Sequence, residues 1–154
     1  MSWLQFDLGE RAYAIPLDAV AEVLWAQQPR LIPLVPVSVG GILNLRGEPL
    51  VVMEGGAVFG QGRALRYRHI LLLEQGDFRI GLRVGHVSRI DRDLAVSMRG
   101  EENVDEECPF VRWVDRVGET LGLVDLDGFL ERATALLTQS RAHQGGQEIC
   151  QSAF

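Results

Sequence analysis

The chain has 154 residues, 47% of them hydrophobic and 23% charged, with a formal net charge of −6 and a pI near 5.0. That composition suits a globular protein with its own packed core, and the acidic balance excludes a positive field over the whole surface of the kind that holds nucleic acid or an anionic membrane. All fifteen basic residues are arginine, which also excludes a lysine-type phosphate loop and lysine-based covalent chemistry.

In chain order, "WLQFDLGERAYAIPL" comes first. Leu4, Phe6 and Leu8 alternate before Gly9-Glu10, and Tyr13, Ile15 and Leu17 alternate after it, the pattern of a β-hairpin. Over "DAVAEVL" (Asp18 to Leu24) a short helix, an irregular turn and a strand compete. In "VPVSVGGILNLRGEPLVVM", Ile42, Leu43 and Leu45 mark one strand and Leu50, Val51 and Val52 the next, with Arg46-Gly47-Glu48-Pro49 as the connection. An arginine at such a turn keeps its guanidinium in water while its stem covers apolar surface. Glu22, between Val20 and Val23, is a candidate ion-pair partner for it.

A polar stretch, "GQGRALRYR" (Gly60 to Arg68), separates this part from a second hairpin in "HILLLEQGDFRIGLRVGHVSRI", which turns at Gln75-Gly76-Asp77. From Asp91 to Pro109 no periodicity is visible, and Glu101, Glu102, Asp105, Glu106 and Glu107 cluster there. Such a run reads as a mobile surface loop. A helix is expected over 127–140, with Asp127 as N-cap and Phe129, Leu130, Ala133, Leu136 and Leu137 forming one stripe; 141–154 reads as a flexible tail.

The two hairpins correspond at an offset of 67 residues: Gly9 falls on Gly76, Glu10 on Asp77, Ile15 on Leu82, Val20 on Val87 and Val23 on Ile90. At an offset of 71, "GEPLVVMEGGAVF" falls on "GETLGLVDLDGFL", matching Gly47 to Gly118, Glu48 to Glu119, Leu50 to Leu121 and Glu54 to Asp125. This is the signature of a duplicated unit. The fold class is therefore all-β, with two pseudo-repeated units of about five strands. Sheets so small dispose of their edges by curling into barrels. One domain over 1–137 is expected, its first barrel at roughly 4–62 and its second at roughly 67–126, followed by the C-terminal helix.

Residues for chemistry are sparse. His69, His86 and His143 form no zinc-binding spacing, no GxSxG elbow is present, and no glycine pattern cradles phosphate, so neither an enzyme nor a metal or cofactor is expected. Cys108 and Cys150 read as free surface or half-buried thiols rather than a disulfide. Arg63, Arg66, Tyr67, Arg68 and His69 offer one basic cluster with an aromatic, and a small-barrel module for nucleic acid or another ligand stays open as an alternative on that ground. No apolar run is long enough to span a bilayer and no signal-peptide order opens the chain; a cytoplasmic protein without membrane insertion is expected.

Taken in order, Phe6 to Leu24, Val35 to Glu54, the second hairpin and "LGLVDLDGFL" resemble the CheW-like domain of bacterial chemotaxis coupling proteins, over about residues 4 to 132. Gly41, Asn44, Leu45, Arg46 and Gly47 are the most family-specific block, followed by "VAEV" (Val20 to Val23). The resemblance implies two SH3-like barrels and a non-enzymatic adaptor. Its implied partners are the cytoplasmic helical tip of a chemoreceptor and the regulatory domain of a CheA-type histidine kinase, with barrels meeting head-to-tail and self-association left open. It implies further that the receptor tip lies in an apolar groove between the barrels, shaped by Glu22, Asn44, Leu45, Arg46 and Gly47, with Arg46 bonding a receptor carboxylate or bracing the turn against Glu22. Three departures from the family pattern, Glu54-Gly55-Gly56, Gly85-His86 and Trp113, point to a divergent member, with service in twitching motility or another receptor-like pathway as the alternative to flagellar chemotaxis.

Overall fold

Burial on both faces governs most of the strands. The computed structural model describes residues 1–61, 66–92, 94, 98–116 and 118–142. In order these are β1 (Trp3–Leu8), β2 (Arg11–Pro16), a 3-10 turn (Leu17–Ala19), β3 (Val20–Trp25), β4 (Val39–Leu45), β5 (Glu48–Glu54) and the short α1 (Gly55–Val58). Then come β6 (His69–Gln75), β7 (Phe78–Val84), β8 (Val87–Asp91), β9 (Met98–Val104), β10 (Val111–Arg116), β11 (Glu119–Val124) and α2 (Leu126–Ala142).

Two sheets result, one in the order β8-β1-β2-β11-β10-β9 and the other β3-β6-β7-β5-β4. Replacing each strand of the first repeat by its counterpart in the second turns the five-stranded order into β8-β1-β2-β11-β10, so β9 is the only addition. The duplication is thus visible in the topology. The turn glycines agree with it: φ is 63° at Gly9 and 59° at Gly76, and 87° at Gly47 and 83° at Gly118, all left-handed values that favour glycine.

The barrels are not contiguous halves, contrary to the division at 62–67. Each sheet joins the leading hairpin of one repeat to the trailing strands of the other, through the parallel pairs β2 with β11 and β5 with β7. These pairs share one register, because Val52↔Gly81 becomes Leu123↔Ala14 when 71 is added to one number and 67 subtracted from the other. Local periodicity carries no information about which hairpin a distant strand joins.

Alternation along β6 shows how the layers form. Ile70 and Leu72 pack with Leu43, Leu50 and Val52 inside one sheet's barrel, whereas Leu71 and Leu73 point the other way. There they meet Leu4, Phe6, Leu8, Tyr13 and Ile15 of the opposite sheet, with Leu82, Val84, Phe59, Phe110 and Phe129. Ala14, Leu94, Val114, Leu121 and Leu123 fill the other barrel. The continuous apolar run of β6 is the mark of a strand buried on both faces. Among the described residues the junction therefore holds the largest core cluster. Inward-facing residues of both leading hairpins fill the middle of that space.

Three further expectations need correcting. The acidic segment is not simply a loop: it contains β9, paired to β10, and Leu94, buried in a barrel core. The sequence of β9, "MRGEENV", lacks the apolar alternation by which a strand is recognised. The N-cap of α2 is Asp125, whose Oδ2 accepts the Gly128 N–H at 3.2 Å, not Asp127. Cys108 is buried in the junction core, and burial pushes its thiol up to about 11. Its partner residue Cys150, His143, Arg63 and the expected tail beyond 142 lie outside the described residues.

Candidate partner-binding surface

Gly47 and Arg46 sit in a two-residue connection between β4 and β5, since Leu45 already pairs with Glu48. Both central residues have positive φ, 50° at Arg46 and 87° at Gly47, the backbone pattern of the tight turns whose twist matches paired strands. Left-handed backbone is uncommon for arginine, and Asn44 supports it: its Oδ1 accepts the Gly47 N–H at 2.8 Å. Glu48 and Pro49 belong to β5 rather than to the connection. Pro49 is tolerated because the parallel pairing with β7 begins only at Val52.

From that turn Arg46 reaches Glu22 with two hydrogen bonds, 3.3 Å to Oε1 and 2.6 Å to Oε2. Glu22 lies on β3 and the turn follows β4, the two outer strands of the five-stranded sheet. The forked pair therefore crosses the seam where the sheet curls on itself. Backbone bonds close the seam beside it, Arg30 N–H to the Ile42 carbonyl at 2.8 Å and Ile42 N–H to the Arg30 carbonyl at 2.9 Å. The hydrogen bonds from Arg46 hold the Glu22 carboxyl below its usual range, and Glu22 in turn raises Arg46. The other barrel has its own clasp, Arg116 to Asp91 at 2.6 Å, joining β10 to β8.

Of the five site residues, Glu22, Asn44, Arg46 and Gly47 come together at this seam. Leu45 instead turns toward the barrel core of Leu43, Leu50 and Ile70. None of the five reaches the space between the sheets. What remains open there is a shallow depression of about 500 Å³, lined among others by Trp3, Pro16, Gln75, Leu123 and Leu126. Asn44 and Gly47 line a different depression of about 640 Å³ with Gln28, Arg30, Ile42 and Pro49.

Sequence reasoning missed the apolar residues on β3 and the segment that follows. Trp25 and Leu31 are each 76% exposed, Val37 68% and Leu34 58%, an amount of free apolar surface that marks interaction sites. Their mixture with Pro29, Pro33 and Pro36, outside any periodic pattern, was the available signal.

The departures also find physical roles. A Cβ at Gly55 would lie 2.2 Å from the Arg83 carbonyl oxygen, so glycine is demanded there, while Glu54 pairs with Arg83 at 2.8 Å under the Tyr67 ring. A Cβ at Gly85 would lie 2.1 Å from Asp7 Oδ1, the atom that accepts the His86 N–H. Trp113 packs on Tyr13 at 5.4 Å and donates its Nε1–H to Asp105 at 2.8 Å. In the basic cluster, Tyr67 covers Arg83 and its hydroxyl accepts the Gly56 N–H, and His69 is buried, so neither is a free stacking platform.

A two-barrel body presenting a clasped seam and exposed apolar side chains belongs to the class of protein-binding scaffolds. The model of the CheW-like domain matches residues 2–134. A chemotaxis protein CheW from Rhizobium meliloti (strain 1021) is 30% identical over 131 residues, covering 80% of this chain and 83% of that protein. The crystal structure of the scaffolding protein TtCheW from Thermoanaerobacter tengcongensis superposes with a TM-score of 0.67 at 23% identity, covering 80% of this chain and 87% of the other, and so shares its barrel fold. The chain belongs to the CheW-like domain family and is a scaffold of the chemotaxis coupling type. Among the described residues no helix is long and apolar enough to cross a membrane.

Proposed function

We propose that this chain is a non-enzymatic cytoplasmic adaptor that holds a chemoreceptor's helical tip and the regulatory domain of a CheA-type histidine kinase at once. Family membership supports the coupling role. The observation that carries the choice of surface is the Glu22–Arg46 clasp, a solvent-facing charge pair at the rim of an apolar stretch of chain. Such a rim suits a partner that offers its own carboxylates beside apolar anchors.

Arg46→Glu places two carboxylates where one ion pair stood. The receptor tip is expected to bind at least about tenfold more weakly, with kinase binding and fold retained. The reversed pair Glu22→Arg with Arg46→Glu rebuilds the clasp. Recovery of receptor binding would assign Arg46 to bracing the seam, and continued loss would assign it to the receptor itself. If Arg46→Glu folds normally and binds both partners as the parent does, this surface is not the receptor site.

A further inference from the structure

Strand β6 opens on His69, which is met from several directions. On β3, Trp25 is its cross-strand neighbour, with ring centroids 5.0 Å apart, and between β7 and β8 the His86 imidazole stands 5.5 Å away. From β1, Asp7 reaches the same corner: its Oδ1 accepts the His86 N–H, its backbone N–H donates to the His86 carbonyl, and its carbonyl accepts the Gly85 N–H. Arg68 precedes the strand and donates its backbone N–H to the Val84 and Gly85 carbonyls. Among the described residues, the charged or titratable groups facing His69 are thus Asp7, Arg68 and His86. This corner stitches one sheet to the other.

His69 is buried, and its Nδ1 accepts a hydrogen bond from the Val87 N–H at 3.2 Å. A backbone N–H can only donate, so this bond exists only while Nδ1 carries no proton. We propose that His69 is a proton-operated latch between the sheets: neutral, it ties the start of β8 to β6 and backs Trp25 at the end of β3; protonated, it turns a donor toward a donor, and the corner opens. Because β3 also carries Glu22, acidification loosens the strand that presents the seam. The latch stands whatever binds there.

Burial holds the His69 ring below the ordinary histidine range, helped by His86 and Arg68 and opposed by the Gly85 carbonyl and Asp7. The opened form therefore takes up the proton first. The latch is at full strength above about pH 6.5 and weakens as the pH falls from there through the folded-state value. Within that window one-proton linkage multiplies the open population by up to about tenfold per pH unit.

Long-range ¹H–¹⁵N NMR of the full chain between about pH 5 and about pH 8 reads the ring nitrogens, and amide exchange corrected for its intrinsic rate reads the Val87 bond. The expected result is an unprotonated Nδ1 at neutral pH, and a Val87 protection factor that falls by up to about tenfold per unit as His69 titrates, while Leu121 in β11 keeps its protection. In His69→Asn the side-chain oxygen still accepts from Val87 but cannot titrate, so the pH dependence of Val87 protection disappears. In His86→Ala it persists. A proton on Nδ1 near pH 7.5, or Val87 protection that follows pH in His69→Asn as in the parent, overturns the latch. Should His69→Asn not fold, the parent's ring titration and Val87 exchange decide the matter alone.

Discussion

Phe59 closes α1 and stands where five pieces of the chain converge. It is 3% exposed, and its ring lies 4.7 Å from Tyr13, 5.3 Å from Phe110, 5.9 Å from Phe129 and 6.0 Å from Phe6. These neighbours come from β1, β2, the segment before β10, and α2. Truncation to alanine removes the ring's burial and leaves a cavity that the two sheets cannot collapse without shearing their shared registers. The cost for Phe59→Ala is about 3–5 kcal/mol, within which each lost aromatic pair accounts for about 0.5–1.5 kcal/mol. Against a total stability of about 5–15 kcal/mol the variant still folds. For a chain of this size the loss corresponds to a Tm lower by about 6–20 °C. Urea unfolding followed by far-ultraviolet circular dichroism and by tryptophan fluorescence reads it directly. Both probes are expected to report one coincident transition at a lower midpoint, because every barrel contains strands of both repeats. A loss below about 1 kcal/mol, or two separate transitions, would refute the shared junction core.

Gly85→Ala forces a Cβ against the Asp7 backbone as well as its carboxylate, and a destabilisation of about 1–3 kcal/mol is expected in the same urea assay. Arg116→Met removes the 2.6 Å ion pair from Asp91, whose side chain is 11% exposed and keeps the hydrogen bond from Gln5; about 1–3 kcal/mol should be lost, read as a lower midpoint. Because Glu22 is held below the usual carboxylate range, its clasp with Arg46 is complete above the unfolded-state value of about 4.5 and is lost as the pH falls through the folded-state value, which carboxylate-resolved NMR of Glu22 will show as a titration shifted to lower pH than in Arg46→Met. With Cys150 changed to serine, Cys108 should resist a thiol reagent at pH 8 in the folded chain and react at once in denaturant, since its thiol titrates near 11 and is buried. Fragments 1–61 and 66–154 should each lack cooperative structure when separate and regain it on mixing, checked by circular dichroism, because each barrel needs strands from both.

Much of this architecture could be read in the residues. Gly9 and Gly76, and Gly47 and Gly118, share backbone angles because turns of one geometry demand one residue, so the duplication shows in sequence as well as in φ. Glu22 could be offered as a partner for the turn residue Arg46 from its place between Val20 and Val23, and the structure pairs them. The exchange of hairpins could not be read in this way, since Val52↔Gly81 and Leu123↔Ala14 are long-range parallel pairings with no local signature. β9 escaped for a different reason: "MRGEENV" has no apolar alternation to detect. Asp125 and Asp127 are equally good caps by type, and only the position where β11 ends decides between them.

The adaptor role is tested most directly by reconstitution. A receptor cytoplasmic helix bundle, the regulatory domain of a CheA-type kinase and this chain are combined, and their co-migration is followed by analytical ultracentrifugation with each component labelled. Receptor and kinase domain are predicted to travel together only when this chain is added, and to separate when it carries Arg46→Glu while the kinase domain stays attached to it. Kinase domain and receptor that co-migrate without this chain, or a folded chain that joins neither, would contradict the account.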